Sequence, residues 1–254
     1  MKPLFIAAFA FRTMCAASAL AGIQAIAADI RVLAPNAAKE SVSEAVSSFE
    51  KSSGHRVIVS WTGTEAITKR ITEGEVVDVV VNAAQNIDRL TNEGKLLQGS
   101  RTDFARSSIG VATAPSVPRP DISSVEGLKS ALLAAKSILI SSGTSGRHLS
   151  DTFDKLGVGE QIKTKLKQPP SGAQIGALLA AGEAELGFQQ VSELVHVKGI
   201  QYLGPLPAEL QSYTIYSGAA HKQSAQPEAA RALLKALRQP ETAGVVSRSG
   251  MEPL

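Results

Sequence analysis

Residues 76–81 read Val-Val-Asp-Val-Val-Val, apolar without alternation except at Asp78. A strand apolar on both faces has to be covered on both, and in α/β proteins helices supply that cover. The flanking segments repeat one order. Residues 30–34 are a strand candidate, the turn Pro35-Asn36-Ala37-Ala38 follows, and a helix runs to about Ser52 with Val42, Val46 and Phe49 along one face. A second strand over 57–61 leads through Thr62-Gly63-Thr64-Glu65 into a helix marked by Ile67 and Ile71. After the strand at 76–81, Asn82-Ala83-Ala84-Gln85 opens a helix from Ile87 to about Glu93. Three polar loops, each at the carboxyl end of a strand, predict a parallel, helix-covered sheet that binds its ligand at those ends.

A second set of units follows. Residues 109–114 form a strand candidate, 115–120 a proline-rich turn, and a helix runs from Val125 toward Lys136. The short apolar run 138–140 then enters Ser141-Ser142-Gly143-Thr144-Ser145-Gly146-Arg147-His148, ahead of helically spaced Leu149, Phe153 and Leu156. A strand, a Gly/Ser/Thr loop and a helix in that order place hydroxyls and unpaired N–H groups at the positive end of a helix, where an anion can bind. Arg147 adds a planar fork suited to a carboxylate. Pro169-Pro170-Ser171-Gly172 precedes a helix over 173–181, and strands are expected over 186–188 and 200–203, with Gln189-Gln190 after the first. Residues 212–217 set Tyr213, Ile215 and Ser217 against Thr214 and Tyr216; a helix over 227–237 with Pro227 in its first turn and a short tail close the chain. This grouping predicts a first lobe over 29–106, a second over 107–211, and a return segment 212–254 that rejoins the first, with the ligand in the cleft between them.

Lys2 and Arg12 precede a small apolar run over 14–23, and Ala25-Ile26-Ala27 has the small-x-small form of a signal-peptidase site. Residues 1–28 are therefore expected to be a signal peptide cleaved after Ala27 or Ala28, exporting the mature protein to the periplasm. The only cysteine, Cys15, falls inside that leader, so the mature chain is expected to have no disulfide or thiol chemistry. The whole chain carries 26 Lys and Arg against 23 Asp and Glu; without Lys2 and Arg12 it is 24 against 23. That balance gives no support for a nucleic-acid or membrane-surface partner.

His55, His148, His196 and His221 show no ligand spacing, so no metal is expected, and no cofactor motif is present. Asp78, Glu183 and Glu193 are each possible general bases, but no nucleophile–base spacing singles one out. What recurs is a polar loop before a helix: Asn36, Gly63-Thr64, Asn82, Thr144-Ser145-Gly146 and Ser171-Gly172. Sharing one cleft, such loops make a cage of donors for a small anion.

Ile30-Arg31-Val32-Leu33-Ala34-Pro35, Thr62-Gly63-Thr64, Val77-Asp78-Val79-Val80-Val81-Asn82-Ala83, Pro227-Glu228-Ala229-Ala230 and Gly250-Met251-Glu252-Pro253, in that order, resemble the molybdate-binding family of periplasmic solute-binding proteins over nearly all the mature chain. The resemblance implies an α/β type 2 periplasmic binding fold: two lobes, each a mostly parallel sheet covered by helices, with a hinge between them. It implies ligand contacts near Ala37, at Gly63 and Thr64, near Ser145, at Gly172 and Ala173, and at Tyr213. Together with the loop residues, the candidate binding set is Asn36, Ala37, Gly63, Thr64, Ser145, Gly146, Arg147, Ser171, Gly172, Ala173, Gln190 and Tyr213. Ala37 stands where the family pattern has a serine hydroxyl, and Arg147 suits a carboxylate better than a compact oxyanion.

The function implied is capture of a small anion, an oxyanion such as molybdate or a carboxylate, by a monomer that serves an ABC-type permease, a reading that leans away from catalysis without settling it. Aconitate isomerase, a periplasmic enzyme similar to this family, supplies the alternative: the same clamp interconverting trans- and cis-aconitate, with His148, Glu65 and Glu193 as candidate bases.

Overall fold

Val79, Val80 and Val81 are fully buried, as a strand covered on both faces requires. The computed structural model describes residues 27–254, so the expected signal peptide, apart from Ala27 and Ala28, lies outside the described residues. The chain begins β1 (Asp29–Pro35), a 3-10 turn over Asn36–Ala38, α1 (Lys39–Ser53), β2 (Arg56–Thr62), α2 (Thr64–Thr72), β3 (Val79–Ala83) and α3 (Ala84–Asn92). β1 pairs in parallel with β2 and β3, with Val32 opposite Val59 on one side and Val79 on the other. Side chains alternate across this sheet: Val32 packs with Val42, Val46 and Phe49 of α1, while Leu33 packs with Ile67, Ile71, Ile87 and Leu90 of α2 and α3.

The next strand, β4 (Thr102–Thr113), is the structural pivot. The apolar run at 109–114 marks only its second half. Residues 102–108 include Thr102, Asp103, Arg106, Ser107 and Ser108, with Asp103 accepting from Ser217 Oγ and Arg106 paired to Glu252, so hydrophobicity gives them no strand signature.

Then come α4 (Val125–Ala134), β5 (Ile138–Ile140), α5 (Thr144–Lys155), α6 (Gly159–Ile162), β6 (Leu166–Lys167), α7 (Ile175–Ala180), β7 (Leu186–Gln190), α8 (Val191–Leu194), β8 (Gln201–Pro205) and β9 (Tyr213–Ala220). α9 (Pro227–Ala236), α10 (Pro240–Arg248) and β10 (Glu252–Pro253) finish the chain. The tail expected after the helix at 227–237 is thus largely a further helix, α10, whose Val246 joins the core shared with Val42 and Phe49.

Strand order is β2-β1-β3-β9-β4-β7-β5-β6, with β8 and β10 also paired to β4. The parallel sets β2-β1-β3 and β7-β5-β6 lie in different lobes. Between them β9 and β4 run antiparallel: β4 pairs with β9 from Thr102 to Ser108, then with β7 and β8 from Ile109 to Thr113. One strand therefore belongs to both lobes, and β9 lies beside it at the hinge. The second lobe has its own two cores, one around Leu128, Ile138, Leu149, Phe153 and Phe188, the other around Leu139, Ile175, Leu179 and Leu194.

Candidate functional site

At the carboxyl ends of the parallel strands the chain turns into helices that face one another across the cleft. α2 starts after Gly63 and α5 after Gly143, both glycines in extended conformation. The first-turn N–H groups of each helix have no acceptor within the helix and carry its positive end. α5 begins close against the loop before it: Ser141 Oγ lies 2.8 Å from Ser145 Oγ, and a Cβ on Gly146 would run into the Ser141 carbonyl. Gly146 is thus required for packing and does not line the cavity.

The cavity between the lobes encloses about 530 Å³ of atom-free space, part of it open to solvent. Asn36, Ala37, Thr62, Gly63 and Thr64 line it from the first lobe, and Ser141, Thr144, Ser145, Ser171, Gly172 and Ala173 from the second. Of the anticipated set, all but Gly146, Arg147 and Tyr213 reach it; Gln190 does so while its buried amide ties the hinge strands together. With Nε2 turned toward Ser107, that amide donates to the Ser107 carbonyl at 3.1 Å and accepts from Thr214 Oγ1 at 2.9 Å. Asn82 sits behind the site, its Nδ2 donating to the Thr64 carbonyl and to Thr68 Oγ1, both at 3.1 Å; it holds α2 in place.

The lobes meet directly. Asn36 Nδ2 donates to the Gly172 carbonyl and the Ala66 N–H to Ser171 Oγ, both at 3.1 Å. Arg147 Nη1 donates to Glu65 Oε1 at 2.9 Å, so the guanidinium expected to meet the ligand is engaged in an ion pair across the rim. Its side chain is half exposed. Exposed ion pairs contribute about 0–1 kcal/mol, so Arg147→Ala is expected to change ligand affinity less than about fivefold, measured by titration calorimetry. A larger loss would return Arg147 to the binding set.

Tyr213 does not line the cavity. It is 48% exposed, with the Arg106 guanidinium 4.7 Å from its ring centre. Alternation along β9 puts Thr214 and Tyr216 on the inner face, and these are the residues that reach the cavity.

Gln189 and Glu193, also absent from the anticipated binding set, complete the floor. Gln189 Oε1 accepts the Ile175 N–H at 3.0 Å, and its Nε2 donates to the Ala173 carbonyl at 3.2 Å and to Glu193 Oε1 at 2.9 Å. Gln189 therefore fixes the 171–175 loop against Glu193. The i, i+4 spacing of Gln189 and Glu193 across the β7–α8 junction is the sequence signal that could have paired them.

Among the residues lining the cavity, the ionisable side chains are Glu193 and Tyr216, and neither is balanced there by a cation. Burial raises Glu193 from its ordinary value of 4.5 to about 7, a rise that a hydrogen bond from Gln174 partly opposes. Burial, then the nearby Glu193 charge, pushes Tyr216 well above its ordinary value, so it stays a neutral phenol. The other base candidates lie elsewhere: His148 Nε2 is 2.8 Å from the Leu210 carbonyl, Glu65 holds Arg147, Asp78 accepts from the Arg31 N–H at 2.8 Å and from Ser224 Oγ at 2.6 Å, and Glu183 is exposed outside the cavity.

The folded state binds the Glu193 proton more tightly than the unfolded chain does. Its stabilising contribution is therefore complete below about pH 4.5 and is lost as pH rises through about 7. The loss is about 3 kcal/mol at most. Urea titrations at pH 5 and pH 8 should show it in the wild type, with a smaller fall in Glu193→Gln; equal falls would mean that Glu193 is not the group responsible.

Residues 30–252 match the model of the bacterial extracellular solute-binding protein family. The chain belongs to this family. Aconitate isomerase of a Pseudomonas species is 34% identical over 231 residues, covering 89% of this chain and 88% of that protein. The molybdate-binding protein ModA of Azotobacter vinelandii is 28% identical over 172 residues, 66% of this chain and 67% of that protein. The solved structure of the periplasmic molybdate-binding protein of Azotobacter vinelandii superposes with a TM-score of 0.74 at 19% identity, covering 87% of this family member and 98% of that chain. This last likeness is one of fold alone.

Proposed function

We propose that this solute-binding protein works in the periplasm, closing its cleft on a small polycarboxylate and shifting a proton within it as an isomerase of the aconitate class. The observation that carries the reading is the placement of Glu193: a carboxyl that burial raises to about 7, at the edge of a cavity whose other lining side chains are neutral. Helix N-termini and hydroxyls stabilise carboxylate charge. A carboxyl that titrates near neutrality is suited both to take a proton from carbon and to return it. A fully deprotonated tetrahedral oxyanion offers that group no C–H proton to take and can only accept a hydrogen bond from its protonated form. The 34% identity to an aconitate isomerase over 89% of the chain supports the same conclusion.

A second reading is favoured by the neutral lining itself. Hydroxyls and N–H groups without a cation suit a compact oxyanion, and capture for an ABC-type permease would need nothing more.

One experiment separates the two. The mature protein is incubated with trans-aconitate and followed by proton NMR, and its melting temperature is measured with molybdate, tungstate, sulfate, citrate and both aconitates. Appearance of cis-aconitate, with stabilisation by the aconitates, is expected, because a ligand that binds the folded state raises its stability. Stabilisation by molybdate or tungstate alone, with trans-aconitate unchanged, would overturn the isomerase reading in favour of oxyanion capture.

A further inference from the structure

Glu193 borders two cavities. Behind the ligand site lies a second one of about 550 Å³ of atom-free space, lined by Lys39, Glu40, Gln174, Ser192, His196 and Ser249, and sharing Asn36, Ala37 and Glu193 with the first. At the front the lobes meet through Asn36 with Gly172, Ala66 with Ser171 and Arg147 with Glu65. Asn36 borders both cavities, and across the rear one His196 of the second lobe reaches Arg248 and Glu40 of the first, but the rear cavity stays partly open to solvent.

The carboxyl is asymmetrically held: Gln189 and Gln174 both donate to Oε1, while Oε2 accepts no hydrogen bond among the described residues. Ser192, on the same short helix, carries a buried hydroxyl with no partner among the described residues and lines the rear cavity. A buried hydroxyl of that kind is one that water satisfies. His196 contributes the imidazole to the same cavity: Nε2 lies 2.8 Å from the Arg248 carbonyl and 3.8 Å from Glu40 Oε2. Charged and titratable groups thus face Glu193 from both sides, Tyr216 in front and His196, Glu40 and Lys39 behind.

We propose that the rear cavity is a proton port, through which Glu193 exchanges its proton with solvent while the front of the cleft is shut on the substrate. The inference rests on the isomerase reading. In that reaction the Glu193 carboxylate takes a proton from the methylene carbon of aconitate. The C–H electron pair becomes the new C=C bond, and the pair of the old C=C bond moves to the former vinyl carbon, which takes a proton from Glu193. Nothing is oxidised or reduced. Between the two transfers the carboxylic acid carries the proton, and the rear cavity lets water replace it.

The test is isomerisation of trans-aconitate in D₂O, with the deuterium content of the cis product read by mass spectrometry. The wild type should place solvent deuterium in most of its product. Ser192→Val, which removes the hydroxyl and puts methyl groups in its place on the wall of the rear cavity, should lower the deuterated fraction at least fivefold while trans-aconitate still raises its melting temperature. His196→Leu, at an exposed position, tests the same route if the Val variant fails to fold. Wild-type product that keeps its own hydrogen, or a deuterated fraction unchanged in the folded variants, overturns the port and leaves the isomerase standing. A wild type that does not isomerise aconitate overturns both.

Discussion

Glu193→Gln is expected to lower turnover of trans-aconitate at least 100-fold while leaving its thermal stabilisation of the protein in place. The substitution preserves shape and still offers an oxygen to Gln189 Nε2, which donates to Oε1 at 2.9 Å, so the loop at 171–175 keeps its anchor. What is lost is the ability to accept a proton, and general acid–base groups contribute roughly 10²–10⁴-fold to rate. Binding survives because the remaining donors are hydroxyls and N–H groups that the change does not touch.

The pH profile supplies a readout that a packing role would not move. As the base, Glu193 must be ionised at the start of turnover, so the wild-type rate at saturating substrate should rise as pH increases through about 7. The groups facing it, Tyr216 in front and His196, Glu40 and Lys39 behind, set how far that midpoint moves when substrate charge is added. In Glu193→Gln this limb should disappear. A variant that retains more than a tenth of wild-type turnover would remove Glu193 from the chemistry.

The lobes and loops are legible in the sequence because each rests on a local pattern. The continuous apolar run before Asn82 requires cover on both faces, and the glycines and hydroxyl residues before α2 and α5 mark helix starts. Four of the five loops singled out by composition do border the cavity: Asn36, Gly63-Thr64, Thr144-Ser145 and Ser171-Gly172. The fifth, at Asn82, has the same composition but is buried behind α2, and no local pattern distinguishes a side chain that holds a helix from one that faces a ligand.

Tyr213 shows the limit of locating a residue by family position alone. The alternation over 213–217 is visible in the sequence, but which parity faces the cleft is decided by the pairing of β9 with β3 and β4. Arg147 shows a different limit. Its charge is apparent, yet its partner Glu65 is 82 residues away on the opposite lobe, and only the closed arrangement brings them together. Glu193 lies at the other extreme. Nothing in its neighbours announces a raised pKa, because the desolvation that raises it comes from both lobes.

That closed arrangement makes Gly63→Ala the second large expected effect. Gly63 caps α2 with φ −87° and ψ 158°, a conformation open to any residue, so alanine leaves the fold of the first lobe unstrained. The obstruction lies across the cleft: a Cβ on Gly63 would collide with Ser171 Oγ and with the backbone nitrogen of Gly172. A serine side chain can rotate away, but the Gly172 backbone cannot, since it occupies φ +94° and its carbonyl accepts from Asn36. Closure therefore has to stop short, and the cost falls on the arrangement in which the two lobes touch.

Overpacking of this kind costs about 1–3 kcal/mol, so ligand affinity should fall roughly 5- to 150-fold, with the melting temperature of the ligand-free protein nearly unchanged. Turnover should fall with it, because the donors of Ser171 and Gly172 no longer reach a substrate held at Gly63 and Thr64. Small-angle scattering checks the cause directly: the wild type should contract on adding the anion that stabilises it, and Gly63→Ala should contract less. Wild-type affinity and contraction in the alanine variant would mean that the contact between Gly63 and the Ser171-Gly172 turn is not part of the ligand-bound state.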